Sequence, residues 1–351
     1  MKFNLPVWNG VKSFYFKQKI KNIEIKSSKI SGVYIRKDVN FVDYEEDYTH
    51  MTPLKWKGYI KKIRDNKTRF IKENTKYAGE CLEIGAGDDF NIKTLKWKNY
   101  TICDPFIEPY KNKKIELIKN FYEKINFRKK FDTIIMFSVL EHTNKFVEFI
   151  KITKKILKTN GSFFLEIPII DNQFIHGDLN CLLHEHVNYF SKKGIFNLLK
   201  KFGFYIENFY FKNDTGFFCI KHKKNKKYFS IQKSLPNLNI NEKTFKTKII
   251  NFKNFLKKYS NRKIVFYGAN NGLNSLLYTA SKKININKKK IFIVDSDNNK
   301  WGKFIGSFNK PINKPNIIKK SDLICVSSLS FYDEIILNLK KSNQIINLND
   351  I

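Results

Sequence analysis

The sequence predicts an α/β protein in which a doubly wound, Rossmann-like parallel sheet is followed by a second, smaller Rossmann-like α/β unit at the C-terminal end. Between residues 80 and 168, short apolar runs alternate with helical patterns. A similar strand, glycine turn, helix and strand begin again at residue 262. Such alternation is typical of parallel strands joined by crossover helices. Because ligands of these sheets bind at the carboxyl ends of the strands, we expect the functional residues there.

The individual elements of the main sheet follow from their patterns. Strands are expected at 80–84, 99–103, 115–118, 131–139 and 162–168. A helix at 54–77 precedes the first strand, and a helix at 145–158 is expected to end at Gly161. After a further helix at 191–204, the runs YIENFYF and GFFCIKH predict an antiparallel pair of strands at the edge of the sheet.

Changes of pattern along the chain suggest four parts. They are a small β-rich N-terminal appendage (1–45), the main α/β domain (46–222), a Lys- and Asn-rich linker with a helix (223–261) and the second α/β unit (262–351). A chain of 351 residues is long enough for two domains with full hydrophobic cores. The role of the first part is not evident from its residues.

The formal net charge of +34 would ordinarily indicate a nucleic-acid or membrane partner. However, the positive charge comes from 61 Lys and only 5 Arg spread over the whole chain. Arginine is the preferred residue for bidentate phosphate and guanine contacts. We therefore expect a small-molecule substrate and no nucleic acid, with a field that favours anionic small molecules.

The five cysteines contain no CxxC pair and mostly lie in apolar runs, which predicts buried, reduced thiols and no zinc module. No apolar run approaches the ~18 residues of a membrane span. The N-terminal residues also lack the apolar core of a signal peptide. We therefore expect a cytoplasmic protein without a membrane span.

The most informative motif is CLEIGAGDDF at 81–90, where a buried strand runs into a glycine turn and two carboxylates. A glycine turn between strand and helix allows a ligand to approach the backbone closely. Dinucleotide sites have a third glycine where this chain has Asp89, and the acids would repel a pyrophosphate. S-adenosylmethionine has no phosphate and carries positive charge, so the acids attract it. The motif therefore predicts S-adenosylmethionine as the cofactor.

Asp104 lies 19 residues after Gly85, at the end of the next strand. An acid that binds ribose hydroxyls is expected about 20 residues after such a glycine turn. The alternative is that the turn is purely structural and that Asp104 caps a helix. The agreement of turn, spacing and element order favours the cofactor site.

Five of the six histidines lie between residues 50 and 186, and three of them fall in FIHGDLNCLLHEHVNYFS. This segment follows the strand at 162–168, on the side where the glycine turn lies. A histidine with a pKa near about 6.5 is suited to remove a proton at neutral pH, so one of them is expected to be a general base. Two alternatives stay open: a metal site, or histidines that only cap loops and fill space. The metal site would use His176, Asp178, His184 and His186.

Three other segments carry less specific signals. His142 follows the strand at 131–139 and is expected to face the same cleft, or only to begin a helix beside Glu141. Tyr44, Tyr48 and Thr52 could form a lid or an ordinary connection. The turn GANNG in the second unit, with Gly268 and Gly272, could hold a substrate phosphate or be purely structural.

Taken with the motifs above, residues 45–349 resemble the class I S-adenosylmethionine-dependent methyltransferases, and within them the C-methyltransferases of nucleotide-deoxysugar biosynthesis. CLEIGAGDDF resembles their cofactor loop and FDTIIMFSVLEHT the strand beside the methyl group. LLHEHVNYFSKKGIFNLLKKFGF resembles their catalytic segment, and VFYGANNGLNSLL through GSFNKPI their C-terminal domain. The N-terminal zinc module of that family has no counterpart here.

The resemblance implies removal of a proton from a carbon beside a keto group, followed by attack of the enolate on the sulfonium methyl. His186 would be the base, with Glu185, His142 and His184 as the other catalytic residues. Cofactor contacts are expected from Glu83, Gly85, Ala86, Gly87, Asp104, Pro105, Phe137 and Ser138. Substrate contacts are expected from Tyr48, Tyr189, Gly268 and Asn270, with no metal.

The sequence thus predicts a methyltransferase that acts on a sugar or nucleotide sugar, in the biosynthesis of a surface glycan. One alternative is O-methylation, with a histidine deprotonating a hydroxyl. The other is a non-catalytic protein that binds a nucleotide sugar on a methyltransferase scaffold.

Overall fold

The computed structural model describes most of the chain. The described residues are 1–8, 10–37, 59–76, 79–86, 95, 97–107, 115–222, 235–288, 290–339 and 344–351. Within them the chain forms three β-sheets, with helices packed around them. No helix in these ranges is long and apolar enough to cross a membrane.

The central sheet has seven strands in the order β10-β11-β8-β7-β4-β5-β6. Their bounds are β4 Glu80–Ile84, β5 Asn99–Cys103, β6 Ile115–Ile118, β7 Phe131–Phe137, β8 Leu157–Pro168, β10 Tyr205–Lys212 and β11 Thr215–Lys221. The five strands β6, β5, β4, β7 and β8 are parallel to one another. Strand β11 is antiparallel to both β8 and β10. The predicted parallel sheet and its antiparallel edge pair are confirmed. The strand order reverses between β4 and β7, which is where a doubly wound sheet opens a crevice.

Helices cover both faces of this sheet and explain its apolar strands. The helices of this part are α1 Tyr59–Asn74, α2 Phe146–Ile156, α3 Asp171–His176 and α4 Lys192–Lys201. Leu82 and Met136 from the strands share one core with Ile150 of α2 and Leu198 of α4. Phe164 of β8 lies in another core with Phe70 and Ile71 of α1. Strands buried on both faces are expected to be almost continuously apolar, as they are here.

The prediction that α2 ends at Gly161 is wrong. The helix ends at Ile156, and β8 begins at the next residue. Gly161 lies in β8. The pairing of β8 with β7 is irregular here, because the register shifts between Phe131 and Thr133 of β7. A side chain at Gly161 would come within 3.0 Å of the carbonyl oxygens of Lys158 and Asp132. The glycine is therefore needed for close packing of the irregular strand and does not terminate the helix.

The N-terminal residues form a second sheet in the order β1-β2-β3-β9. The strands are β1 Lys2–Pro6, β2 Ile20–Ser27, β3 Val33–Arg36 and β9 Asn188–Phe190. The fourth strand comes from the main α/β part. It directly follows residues 183–187, which we call the histidine segment. The pairs Val33 with Phe190 and Ile35 with Asn188 make the sheet antiparallel at this junction. The predicted β-rich character of the N-terminus agrees with these strands, but the sheet is completed by a strand from elsewhere in the chain.

A third sheet lies in the C-terminal part. Its strands are all parallel, in the order β14-β13-β12-β15-β16. They are β12 Ile264–Tyr267, β13 Ile291–Val294, β14 Ile312–Asn313, β15 Leu323–Val326 and β16 Gln344–Asn347. The helices are α5 Glu242–Lys258, α6 Asn271–Ser281 and α7 Tyr332–Leu337. Residues 223–234 of the expected linker lie outside the described residues.

One hydrophobic core joins the N-terminal sheet to the C-terminal part. It contains Leu5 and Ile23 from the N-terminal sheet, Phe174 from α3, and Phe245 and Leu273 from α5 and α6. Ring contacts continue through it, since Phe245 packs on both Phe3 and Phe174. Leu179, Cys181 and Leu182, from the segment between α3 and β9, also belong to this core.

Candidate active site

Several predicted cofactor residues lie at the carboxyl edge of the central sheet. Ile84, at the end of β4, pairs with Cys103 of β5 on one side and with Met136 of β7 on the other. Gly85, Asp104 and Phe137 follow or complete these strands, so they lie along one edge. The Gly85 amide donates to the Cys103 carbonyl at 2.9 Å.

Gly85 has a backbone φ of +66°, which side chains other than glycine rarely adopt. A Cβ atom here would lie 2.4 Å from Cγ2 of Val139, the second residue after β7. The turn is thus closed tightly against the neighbouring strand end. Gly87, like Asp88 and Asp89, lies outside the described residues, whereas Ala86 is the last described residue of this turn.

Asp104 and Glu83 are both buried but have different surroundings. Oδ1 of Asp104 accepts from the Phe106 amide at 2.8 Å, which fixes the turn through Pro105. Its position at the end of β5 suits a contact with a ribose. Glu83 accepts a hydrogen bond from the Tyr100 hydroxyl across the sheet. This hydrogen bond links β4 to β5, so Glu83 stabilises the sheet.

Ser138 shows that the end of β7 is strained. It has a positive φ of 54° without being glycine, and its amide donates to the Glu166 carbonyl of β8 at 3.1 Å. Such outliers occur where surrounding structure fixes a turn, and they are concentrated at functional sites. Beside it, the Phe137 ring has the Lys67 ammonium 5.2 Å from its centroid, and Lys67 forms an ion pair with buried Glu166.

Two histidines that are 44 positions apart meet next to this edge. The rings of His142 and His186 have centroids 4.9 Å apart and an interplanar angle of 78°. Nδ1 of His142 lies 3.0 Å from the carbonyl oxygen of Glu185. Because a carbonyl only accepts, Nδ1 is the protonated nitrogen in the neutral ring. The predicted proximity of His142, Glu185 and His186 is therefore present in the structure.

Backbone hydrogen bonds hold the His142 turn against the histidine segment. The Glu141 carbonyl accepts from the amides of Val187 and Asn188, at 2.8 and 3.1 Å. The Asn188 side chain donates to the Leu140 carbonyl at 2.9 Å. These bonds connect the end of β7 with the start of β9, so the two imidazoles are carried on fixed backbone.

Burial sets the protonation of this cluster. Loss of solvent lowers the pKa of His142 to about 4. The pKa of His186 falls well below its ordinary value, first because of burial and then because His142 and Arg36 lie nearby. Burial raises the pKa of Glu141 to about 8, and Glu166 and Glu185 contribute. At neutral pH the imidazoles are therefore unprotonated and Glu141 is mostly protonated.

The same cluster has the donor types of a divalent-cation site. Ligand atoms of Glu141, His142 and His186 lie within 4.8 Å of one another. Oε1 of Glu141 is 3.8 Å from Nε2 of His142. Among the described residues, this is the one group of three or more such side chains, and it differs from the predicted alternative of His176, Asp178, His184 and His186. That four-residue alternative is not brought together.

The remaining candidate residues lie in other surroundings. His184 is buried, and its Nε2 is 3.4 Å from the Lys21 carbonyl of β2. His176 and Asp178 line a separate cavity of about 660 Å³ together with Asp214 and Tyr332. Tyr189 is 2% exposed and packs on Phe174 in the hydrophobic core. Tyr48, with the rest of the proposed lid, lies outside the described residues.

Gly268 and Asn270 lie in the turn directly before helix α6 in the C-terminal part. Gly268 has φ +107°, and a Cβ atom would lie 1.9 Å from Oγ of Ser328. Asn270 caps α6 by accepting from the Leu273 amide, and it donates to the Ser327 carbonyl. Their roles toward a substrate, like that of Tyr189, stay predictions.

Sequence reasoning assigned no role to three residues of this region: Arg36, Glu141 and Asn188. Arg36 reaches the histidine segment from β3, and its guanidinium donates to the His184 carbonyl. The dipeptide Glu141-His142 directly after a buried strand was a usable signal for Glu141. The contacts of Arg36 span 148 positions, and no local pattern reveals them.

Comparison with known proteins identifies the central part. Residues 56–208 match the family model described as a methyltransferase domain. This range contains the whole cofactor edge and both histidines of the pair. No curated protein matches the chain.

Several solved structures resemble about half of the chain. An S-adenosylmethionine-dependent methyltransferase from Clostridium acetobutylicum has 14% identity and a TM-score of 0.36, with 46% of this chain and 91% of that chain covered. A protein from Pyrococcus horikoshii has 15% identity and a TM-score of 0.41, with 51% and 98% covered. The glycopeptide N-methyltransferase MtfA, solved with S-adenosylmethionine, has 10% identity and a TM-score of 0.36, with 46% and 94% covered.

Proposed function

We propose that this protein, a class I S-adenosylmethionine-dependent methyltransferase, methylates a sugar or nucleotide sugar at a carbon beside a keto group. The observation that carries the proposal is the close pair of partly buried imidazoles beside the cofactor edge, whose pKa values are lowered by loss of solvent. A carbon acid needs a base that is unprotonated at neutral pH and close to the methyl donor. An acceptor that is already nucleophilic does not require this arrangement.

The cofactor contacts we propose use the edge formed by β4, β5 and β7. The tight turn at Gly85 and Ala86 would allow the ligand to approach the backbone, and Asp104, at the end of β5, would accept from ribose hydroxyls. Pro105, Phe137 and Ser138 complete this edge. We keep Glu83 in the set as a support of the strand, because its carboxylate already accepts from Tyr100. The bound cofactor supplies an electrophilic methyl group.

The proton transfer we propose is assigned to His186. Its imidazole removes the proton from the carbon beside the ketone, and the electron pair of the broken C–H bond forms the enolate. His142 supports it: the edge-on ring contact orients His186, and the bond to the Glu185 carbonyl fixes His142. Oε1 of Glu141 lies 3.8 Å from Nε2 of His142, so this buried carboxyl borders the pair. The enolate carbon then forms the new bond to the methyl group.

The acceptor class rests on the chemistry of the site and on the sequence resemblance. The net charge of +34 favours an anionic acceptor such as a nucleoside diphosphate sugar. Modified sugars of this type are building blocks of surface glycans, which is the biological role we propose. We propose that the turn between β12 and α6 contacts the nucleotide through Gly268 and Asn270.

Methyl transfer to a panel of nucleoside diphosphate sugars tests this function. Purified protein is incubated with isotope-labelled S-adenosylmethionine and each sugar, with and without a keto group, and the products are analysed by mass spectrometry. We expect label in a keto sugar, on carbon. Label on a hydroxyl oxygen would replace the assignment with O-methylation. Failure to bind S-adenosylmethionine at tens of micromolar would contradict both.

A further inference from the structure

The N-terminal sheet touches the histidine segment through its third strand. Strand β3 pairs with β9 up to Ile35 and Asn188, and the Arg36 amide then donates to the Val187 carbonyl at 2.9 Å. The end of β3 therefore stands beside residues 184–187. This contact joins the N-terminal sheet, whose role is not evident from the sequence, to the segment that carries the proposed base.

The Arg36 side chain continues this contact. Its Nη1 donates to the carbonyl of His184, and its Nη2 donates to the carbonyl of Asn22 in β2 at 3.3 Å. The planar guanidinium thus joins β2 and the histidine segment in a fixed geometry. The neighbouring Lys21 carbonyl lies 3.4 Å from Nε2 of His184. Two consecutive residues of β2 therefore take part in holding this segment.

Two successive carbonyls before His186 are fixed in this way. The His184 carbonyl accepts from Arg36, and the Glu185 carbonyl accepts from Nδ1 of His142. Since these carbonyls belong to the peptide units that lead into His186, they set the direction in which its side chain leaves the backbone. Arg36 acts from the N-terminal sheet, and His142 acts from the central sheet.

We infer that Arg36 is a positioning residue, which holds the histidine segment so that His186 faces the acceptor carbon. This inference rests on the proposed function of His186. It gives the N-terminal sheet a role in the reaction. Arginine suits this role because it stays charged and presents several donors in a rigid plane.

Kinetics of Arg36→Met test the inference, with Lys37→Gln as the matched control. Lys37 is the next residue, is exposed, and pairs with Glu24 at 3.1 Å, so its substitution removes the same charge from the same strand end. A misplaced base lowers the rate of the chemical step roughly 100-fold. We expect that fall in kcat for Arg36→Met, with Kd for S-adenosylmethionine within about twofold of wild type.

Arg36→Lys provides the conservative variant. It keeps the charge and can reach one carbonyl but cannot bridge both, so kcat should fall about tenfold. If Arg36→Met does not fold, kcat of Arg36→Lys is compared with kcat of Lys37→Gln instead. A kcat for Arg36→Met within about threefold of an active wild type would overturn the inference.

Amide hydrogen exchange supplies a readout that needs no acceptor. The amides of His186 and Val187 donate to the carbonyls of Leu183 and Glu141 at 3.2 and 2.8 Å. Release of the segment should speed exchange in a peptide covering 183–188 in Arg36→Met and leave it unchanged in Lys37→Gln. If wild type methylates none of the sugars, the proposed function fails, and this exchange still judges Arg36: unchanged exchange overturns its positioning role.

Discussion

Glu141 illustrates, at the scale of single residues, how burial changes what a carboxyl group contributes. Its side chain is 2% exposed, and its pKa is raised from 4.5 to about 8. A folded-state pKa above the unfolded value means that the native protein binds more protons between these two limits. The free energy of unfolding should therefore fall as the pH rises from about 4.5 to about 8.

Glu141→Gln should remove this pH dependence. Relative to wild type, the variant should gain up to about 1.4 kcal/mol of stability per pH unit through that window. Urea denaturation at several pH values measures the difference, with the exposed Glu148→Gln as the control for loss of one carboxylate. Parallel pH curves for wild type and Glu141→Gln would show that burial does not raise the pKa of this residue.

Gly85 offers a second test at the residue scale. Gly85→Ala combines an unfavourable φ with a Cβ placed 2.4 Å from Val139, whereas Gly302 has φ +74° with only Phe14 at 4.0 Å. Gly302→Ala should cost about 1 kcal/mol from backbone strain alone. Gly85→Ala should cost about 2–4 kcal/mol because overpacking is added. Thermal unfolding of both variants gives the comparison, and equal losses would contradict the tight closure at Gly85.

Helices and strands were predictable wherever their patterns were long or strongly apolar. Strand β4 matches the expected 80–84, and the edge pair β10 and β11 is antiparallel as expected. Elements β14, β16 and α7 have two, four and six residues, too short to show a period in the sequence. The end of α2 was misplaced because Gly161 was assigned to a helix terminus instead of an irregular strand.

Residues of the site were predictable from the sequence only where a local motif or a characteristic interval along the chain marks them. Gly85 and Asp104 follow a recognisable turn and interval, and the HEH sequence drew attention to His186. The contacts of Arg36 and Asn188 join segments far apart in sequence, so only the fold brings them together. Long-range register is decided by packing and leaves no local signal.

The first turn of α6 yields a prediction at the scale of elements. Nδ2 of buried Asn271 lies 3.1 Å from the carbonyls of both Leu179 and Leu182, which precede the histidine segment. Asn271→Ala leaves these buried carbonyls without that donor, which should cost about 1–3 kcal/mol. Chemical denaturation measures the loss. Asn299→Ala is the control and should change stability little, because the side-chain amide of this exposed residue bonds to nearby Asp297.

For the whole molecule, all three parts of the fold contact residues 179–188, around the histidines. The end of β7 contacts them through the Glu141 carbonyl, the N-terminal sheet through Arg36, and helix α6 of the C-terminal part through Asn271. The hydrophobic core shared by the N-terminal sheet and the C-terminal part supports the same arrangement. Its effect is to place an unprotonated imidazole beside the edge where Gly85 and Asp104 lie.

Solvent deuterium exchange at the carbon beside the ketone tests the central claim most directly. Wild type and His186→Ala are incubated in D₂O with a nucleoside diphosphate keto sugar and S-adenosylhomocysteine, which blocks methyl transfer, and exchange is followed by NMR. We predict exchange in wild type and loss of exchange in His186→Ala, with unchanged binding of S-adenosylhomocysteine. Equal exchange in both proteins would contradict the assignment of His186 as the base.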